Sequence, residues 1–168
     1  MLAAIIKRQN RMTNDINFIK GDATKPTGDG NRIIVHICND IGAWGKGFVM
    51  AISKRWTEPE KKYREWFKNQ DNFSHGQVQF VQVEPDIWVA NLIGQHKIYK
   101  DESGNVPIRY EWVLAGLEKV GQFAEENTAT VHMPRIGCGL AGGTWDKIEP
   151  LINETLTSIN IGVTVYDF

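Results

Sequence analysis

Hydrophobic and polar positions follow two different periods along the chain, and these periods predict strands and helices in turn. Apolar or alternating runs indicate strands, and apolar residues three or four positions apart indicate helices. The predicted strands are 16–20, 32–38, 77–83, 87–93, 128–134 and 162–168. The predicted helices are 46–56, 60–68, 110–124 and 145–158. Strands that alternate with helices are typical of an α/β fold.

A short turn between two of the strands shows how the sheet is built. Glu84-Pro85-Asp86 separates the runs 77–83 and 87–93, which predicts an antiparallel hairpin. The sheet is therefore expected to be mixed rather than all parallel. Ligands in such folds bind beyond the carboxyl ends of the strands. Asp22 and two glycine-rich turns follow predicted strands, so these positions are the candidate ligand site.

Composition narrows the class of protein. The 168 residues predict a single domain, residues 15–168, behind a flexible leader, residues 1–14. The 19 basic and 20 acidic residues form no basic stripe, so no binding of free nucleic acid is expected. No apolar run is long enough for a membrane span. Cys38 and Cys138 are the only cysteines, which favours a reduced pair in the cytoplasm. No metal-ligand spacing is present, so no metal or cofactor is expected. Nothing here predicts the oligomeric state.

The two glycine-rich turns are the most informative feature. The first carries Gly42, Gly45 and Gly47 after the strand 32–38, and the second spans residues 137–143 after the strand 128–134. Glycine permits positive φ and can turn backbone N–H groups toward one point. A helix that begins at such a turn adds the positive end of its dipole. Two such turns at neighbouring strand ends can hold a diphosphate from both sides.

Three other interpretations of these motifs fail on particular residues. Gly137, Gly139 and Gly142 satisfy the dinucleotide pattern, but only one helix and one strand follow, which is too little for the further βαβ units of that fold. No Gly-Lys-Ser/Thr ending matches a P-loop in 42–48. Neither cysteine is followed six positions later by arginine, as a cysteine phosphatase requires, so both cysteines are interpreted as packing residues.

The motifs together resemble macro domains, the family of ADP-ribose-binding modules. Gly21-Asp22 after a strand resembles the opening of that family. The strand that ends at Asn39 before a glycine-rich loop, and the turn Ile136-Gly137-Cys138-Gly139-Leu140 after Met133-Pro134, resemble two further motifs in the same order. The likeness covers roughly residues 16–168 and implies a three-layer α/β/α fold with a mixed central sheet.

The resemblance also implies a ligand and its contacts. Asp22 would accept a hydrogen bond from the adenine amino group, or would instead cap a turn. Phe168 would stack on adenine, or would fill the core. Gly137 to Gly143 would donate N–H groups to the diphosphate, while Gly45, Lys46 and Gly47 close on its other side. The remaining implied contacts are Ala23, Trp44, Phe48, Ile136, Cys138, Gly139, Leu140, Ala141 and Gly142.

The activity implied is hydrolysis of a terminal phosphate. Val35-His36-Ile37-Cys38-Asn39 with the first turn is similar to the small ADP-ribose 1″-phosphate phosphatases. His36 is the expected acid or base and Asn39 the anchor of the distal ribose. The alternative for His36 is a buried strand histidine, and for Asn39 a turn former. Asp40 and His96 are the candidate partners of His36.

Two other functions stay open. One is a module that binds ADP-ribose without chemistry. The other is a hydrolase that removes ADP-ribose from modified proteins or nucleic acid, because the stretch from Met133 to Leu140 also resembles such enzymes. Those that act on glutamate carry Asp and Lys where this chain has Ala141 and Gln95, which weakens that interpretation.

Overall fold

A mixed six-stranded sheet forms the centre of the protein, in the order β1-β6-β5-β2-β4-β3. The structure is a computed structural model that describes residues 15–168, and the predicted leader, 1–14, lies outside the described residues. The strands are β1 (Asn17–Lys20), β2 (Arg32–Asn39), β3 (Val78–Glu84), β4 (Ile87–Gln95), β5 (Thr130–Met133) and β6 (Val163–Asp167). The helices are α1 (Phe48–Arg55), α2 (Glu58–Asn69), α3 (Tyr110–Glu126) and α4 (Trp145–Thr155), followed by a 3₁₀ turn, Thr157–Ile159. The predicted α/β class and mixed sheet are confirmed.

The alternation of β2 divides the core into two layers. Ile33 and Val35 face a large cluster that includes α3 and α4, and Ile34 and Cys38 face a smaller cluster that includes α1 and α2. Successive strand side chains point to opposite faces, so a continuously apolar strand must be covered on both sides. The sheet therefore lies between two helical layers, as the three-layer prediction requires.

The sheet topology brings the functional turns to one edge. Five of the strands are parallel to one another, namely β1, β6, β5, β2 and β4. Among the described strands, only β3 is antiparallel, and it pairs with β4. The carboxyl ends of the parallel strands therefore meet at the same edge. The segments after β1, β2, β4, β5 and β6 all leave from there.

Several predicted helix boundaries differ from those in the structure, and two of the differences have a clear cause in the backbone. α1 begins at Phe48 rather than at residue 46, because Gly47 has φ 83° and cannot belong to the helix. α4 ends at Thr155 rather than at 158, because Leu156 leaves helical geometry and a 3₁₀ turn leads to Asn160 at φ 66°. Within residues 15–168, the helices lack the combination of length and apolar character that crossing a bilayer requires.

Candidate ligand cleft

The two glycine-rich turns meet across a cavity of about 310 Å³, here called the first chamber. Lys46, Gly47 and Phe48 line it from one side, and residues 134–137 and 139–141 line it from the other. β2 and β5 are neighbouring parallel strands, so the turns that follow them must lie side by side. The convergence expected from the sequence is present in the structure.

Both turns carry N–H groups that no acceptor in the described part of the protein uses. Within residues 15–168, the N–H groups of Gly45, Lys46 and Gly47 have no hydrogen-bond acceptor, and the same holds for Gly139, Leu140 and Ala141. Five of these six residues are exposed, so their donors are open to a ligand from solvent, and clusters of such N–H groups are typical of anion sites. The turns therefore form a polar cradle that a diphosphate could fill from both sides.

Glycine is required at the base of the second turn. Gly137 has φ 71°, and a Cβ there would lie 2.7 Å from the Ile108 side chain. Gly139 is different, because its backbone is not in the left-handed region and a Cβ would meet no atom within 4 Å. The turn therefore depends on Gly137 for its shape, while Gly139 contributes its N–H.

A second chamber, of about 620 Å³, adjoins the first. The two share Ile37, Lys46, Val49, Gln95 and Leu140. The second chamber also contains Asn39, Trp44 and Arg64, together with Ile98 and Tyr99 from the loop after β4. One long cleft thus runs along the carboxyl edge of the sheet, with cationic side chains at Lys46 and Arg64.

Asp22 and Phe168 lie together at the far side of the sheet edge. The N–H of Gly21 donates to the Asp167 carbonyl at 2.9 Å, which joins the ends of β1 and β6. Phe168 is fully exposed, so the core-filling alternative is excluded. Asp22 Oδ1 accepts from the Thr24 N–H and hydroxyl, the turn role considered as its alternative. Burial works to raise the pKa of Asp22, but the two Thr24 hydrogen bonds outweigh it and lower the pKa.

Asn39 organises the first turn with its side chain. Oδ1 accepts from the N–H groups of Ile41 and Ala43, and Nδ2 donates to the Ala43 carbonyl at 2.7 Å. The Tyr63 hydroxyl also donates to Asn39. The turn-forming role is therefore present in the structure. Asn39 nevertheless lines the second chamber, and only one of its two amide hydrogens is committed to Ala43.

His36 lies at the floor of the first chamber and is 2% exposed. Its Nε2 is 2.5 Å from Asn91 Oδ1, and Asn91 Nδ2 donates elsewhere, so Nε2 carries the proton. Burial lowers the pKa of His36 to about 4, although the Asn91 hydrogen bond works to raise it. The ring is neutral at pH 7, which leaves Nδ1 as an acceptor. Cys38 Sγ lies 4.0 Å from Nδ1.

The other predicted contacts separate into lining and supporting residues. Ile136 and Ala141 line the first chamber with the glycines, whereas Cys138 and Gly142 do not line either chamber. Ala23 is buried, so only its backbone can reach a ligand. Trp44 lines the second chamber while also packing on His36 and Tyr63.

Several cleft residues were missed by sequence reasoning. Arg135 lines the first chamber and forms a bidentate ion pair with Asp167, at 2.6 and 3.0 Å. Its position directly before the second turn could have indicated from the sequence that Arg135 lies at the cleft. Arg64 and Tyr99 come from a helix face and a polar loop, where no local pattern separates them from ordinary surface residues.

Asp40 and His96 come together, but not with His36. Asp40 Oδ2 lies 2.7 Å from His96 Nδ1 and 3.2 Å from His75 Nε2. Neither candidate partner pairs with His36 in the structure, because β2 ends at Asn39 and Asp40 lies in the bend that follows, hydrogen-bonded to His75 and His96. Burial works to raise the pKa of Asp40, but hydrogen bonds from the Lys97 N–H and His96 outweigh it and lower the pKa.

Solved structures share this fold over nearly the whole chain. A Streptomyces coelicolor macrodomain protein is 51% identical, with a TM-score of 0.83, over 92% of this chain and 99% of its own. The chain belongs to the macro domain family. A Bacteroides thetaiotaomicron protein of unknown function is 57% identical, with a TM-score of 0.91, over 92% of this macro domain and 98% of that protein.

The curated relatives of this macro domain are of two kinds. The ADP-ribose 1″-phosphate phosphatase of Saccharomyces cerevisiae is 36% identical over 177 residues, which cover 91% of this chain and 98% of that enzyme. The mouse and zebrafish chromodomain-helicase-DNA-binding protein 1-like chains are 32% and 30% identical. The macro domain spans only 18% and 15% of their lengths. No family model matches the chain.

Proposed function

We propose that this macro domain binds ADP-ribose along the cleft, with the diphosphate between the two glycine-rich turns. The observation that carries the proposal is the set of unused N–H groups on both turns, at residues 45–47 and 139–141. Gly45 lines the second chamber, and the other five residues line the first, at the ends of parallel strands. Fixed N–H groups bind phosphate oxygens without the cost of ordering a long side chain.

The adenine is assigned to the ends of β1 and β6, outside the two chambers, and the distal ribose to the second chamber. Asp22 has its Oδ1 engaged by Thr24, and its second oxygen is the proposed acceptor for the adenine amino group. The exposed Phe168 ring supplies a stacking surface beside it. The distal ribose is assigned to the second chamber, where Asn39 and Trp44 lie.

The proposed reaction is hydrolysis of ADP-ribose 1″-phosphate to ADP-ribose and phosphate. Lys46 and Arg64 both line the second chamber, so a terminal phosphate on the distal ribose meets two cations there. The name of the Saccharomyces cerevisiae relative supports the same substrate. Preorganised donors and cations stabilise the charge that develops as the phosphate bond breaks.

His36 is proposed as the base of this reaction. It lines the first chamber and not the second, so the water it activates would lie where the two chambers meet. Its ring is neutral, so it would accept a proton from water through Nδ1 rather than donate one. Trp44 packs edge-on against His36, with ring centroids 5.2 Å apart, and so restricts the access of water to the imidazole. The burial of His36 is the observation that favours the second candidate, a macro domain that binds ADP-ribose without chemistry.

A pair of histidine variants separates the two candidates. His132 is also a buried strand histidine, with its pKa lowered by burial, but its partners are Thr130 and Tyr166. His36→Gln should abolish phosphate release from ADP-ribose 1″-phosphate, while His132→Gln retains it in folded protein. Calorimetric titration with ADP-ribose tests the binding of each variant. Binding without phosphate release by the wild type would establish the binding module, and no binding at millimolar ADP-ribose would overturn the proposal.

A further inference from the structure

We propose that Asp40, His75 and His96 form a binding site for one divalent transition-metal ion of the zinc class. Their ligand atoms, Oδ2, Nε2 and Nδ1, all lie within 4.8 Å of one another. Asp40 follows β2, His75 precedes β3, and His96 follows β4, so three separate segments converge on one point. The site stands whether or not the cleft binds ADP-ribose.

The two separations from Asp40 fit a metal with little rearrangement, and the two imidazole nitrogens lie within 4.8 Å of each other. Ligands about 2.0 to 2.2 Å from a tetrahedral zinc ion are about 3.3 Å apart. The Asp40–His75 separation, 3.2 Å, already has this value. The Asp40–His96 separation, 2.7 Å, has to open by about half an ångström as the ion replaces the hydrogen-bonded proton. A bound ion would thus take the place of two imidazole–carboxylate hydrogen bonds.

The ligand atoms select the class of metal. Two imidazole nitrogens and one carboxylate oxygen suit zinc and its neighbours in the first transition series. Calcium and magnesium prefer sites built from oxygen alone. His36 and His132 are buried and hydrogen-bonded to other side chains, so the cluster contains the accessible histidines of residues 15–168.

Surrounding groups orient each ligand. The Lys97 N–H donates to Asp40 Oδ1 at 2.7 Å, which turns Oδ2 toward the imidazoles. The His75 ring stacks on the Trp112 ring, with 3.6 Å between the ring centroids and an interplanar angle of 7°. The His96 ring meets the same indole edge-on, at 90°. Such outer contacts fix ring orientation at metal sites.

The site is accessible and has room for further ligands. The His75 and His96 side chains are 49% and 40% exposed, while Asp40 is 12% exposed. An ion can therefore enter from solvent, and three protein ligands leave a coordination position for water.

A bound ion would also affect the cleft. Asn39 and Gln95, which line the second chamber, directly precede Asp40 and His96 and are paired between β2 and β4. Ile98 and Tyr99 of the second-chamber wall follow His96 closely. A bound ion would link the loop after β4 to the end of β2, so metal binding should reduce motion of the second-chamber wall.

The test uses the untagged, metal-free protein titrated with zinc chloride, and with cobalt(II) for its visible absorption. The expected result is one zinc ion per chain, with NMR shifts at His75 and His96 and none at His36 or His132. His75→Ala and His96→Ala should each weaken zinc binding by at least about tenfold, as loss of a direct ligand exceeds loss of an outer contact. Glu118→Gln, an exposed substitution on α3, should leave it unchanged.

Two results would overturn the site. One is the absence of stoichiometric binding at millimolar zinc. The other is wild-type zinc affinity in either histidine variant, since that would exclude a three-ligand site. The NMR shifts of the wild type give the answer without relying on variants, and thermal melting checks that each variant folds.

Discussion

The Tyr63 hydroxyl lies 2.7 Å from the main-chain oxygen of Asn39 and 2.9 Å from its side-chain Oδ1. Tyr63 comes from α2 and is fully buried, and Asn39 is the last residue of β2. Burial raises the pKa of the Tyr63 hydroxyl, which therefore stays a donor. A helix on one face of the sheet thus fixes the strand end from which the first turn leaves.

Tyr63→Phe tests this support. Removing the hydroxyl leaves buried acceptors on Asn39 with one donor fewer, so we expect a loss of about 1 to 3 kcal/mol in the free energy of unfolding. The first turn should loosen, and ADP-ribose affinity should fall. Urea unfolding and calorimetry measure the two effects. Tyr99→Phe, at an exposed tyrosine, is the control that should leave stability unchanged.

Gly137→Ala tests the shape of the second turn. The substitution forces a Cβ to 2.7 Å from Ile108 at φ 71°, so we expect a loss of about 1 to 3 kcal/mol in stability and weaker ADP-ribose binding. Gly139→Ala in the same turn meets no nearby atom and keeps its N–H. Equal effects of the two substitutions, measured by unfolding and by titration, would contradict this account of the turn.

Arg64→Gln tests the proposed terminal-phosphate contact. The variant should lose affinity for ADP-ribose 1″-phosphate about tenfold more than for ADP-ribose, because a charge-assisted hydrogen bond contributes about 1.5 to 3 kcal/mol. The ratio of the two affinities is informative because Arg64 also donates to the Gly42 and Trp44 carbonyls. Lys54→Gln, an exposed lysine of α1, serves as the charge-matched control. An unchanged ratio would remove Arg64 from the phosphate site.

The two buried histidines predict how stability depends on pH. Burial lowers the pKa of His36 and of His132 to about 4, against 6.5 for the ordinary side chain. Between these values the unfolded chain binds more protons than the folded one, so stability falls as pH falls from about 6.5 toward about 4. Each histidine should account for roughly 2 kcal/mol between pH 7 and pH 5.

Urea unfolding at those two pH values measures this dependence. His132→Gln should remove about half of it, because one of the two titrating groups is then absent. The lowered pKa values of Asp22 and Asp40 also favour the folded state, but their stabilisation is lost below this window. A variant with the full wild-type slope would show that His132 does not titrate as its burial requires.

Phe168→Ala tests the adenine end. Because the ring is fully exposed, its removal should leave thermal stability unchanged. Loss of base stacking should weaken ADP-ribose binding by about 1 kcal/mol or more, near the lower end for stacking on an aromatic ring. Wild-type affinity in this variant would place adenine elsewhere.

The local sequence pattern was sufficient to predict the strands, the helices and the two glycine-rich turns. The β-branched run of β2, the spacing of apolar residues in α3 and the positive-φ demand at Gly47 and Gly137 each act within a few residues. Because parallel strands end at one edge, the meeting of the two turns followed from sequence order once the strands were placed.

Only the tertiary structure decided which distant side chains share a site. Asp40 lies 35 residues from His75 and 56 from His96, with no metal-ligand spacing between them, and it follows the end of β2, where strand alternation no longer fixes the direction of its side chain. Arg64 reaches the second chamber because α2 packs on the sheet through Tyr63. Propensity and periodicity act over a few residues and so determined the elements, whereas packing between those elements determined the sites.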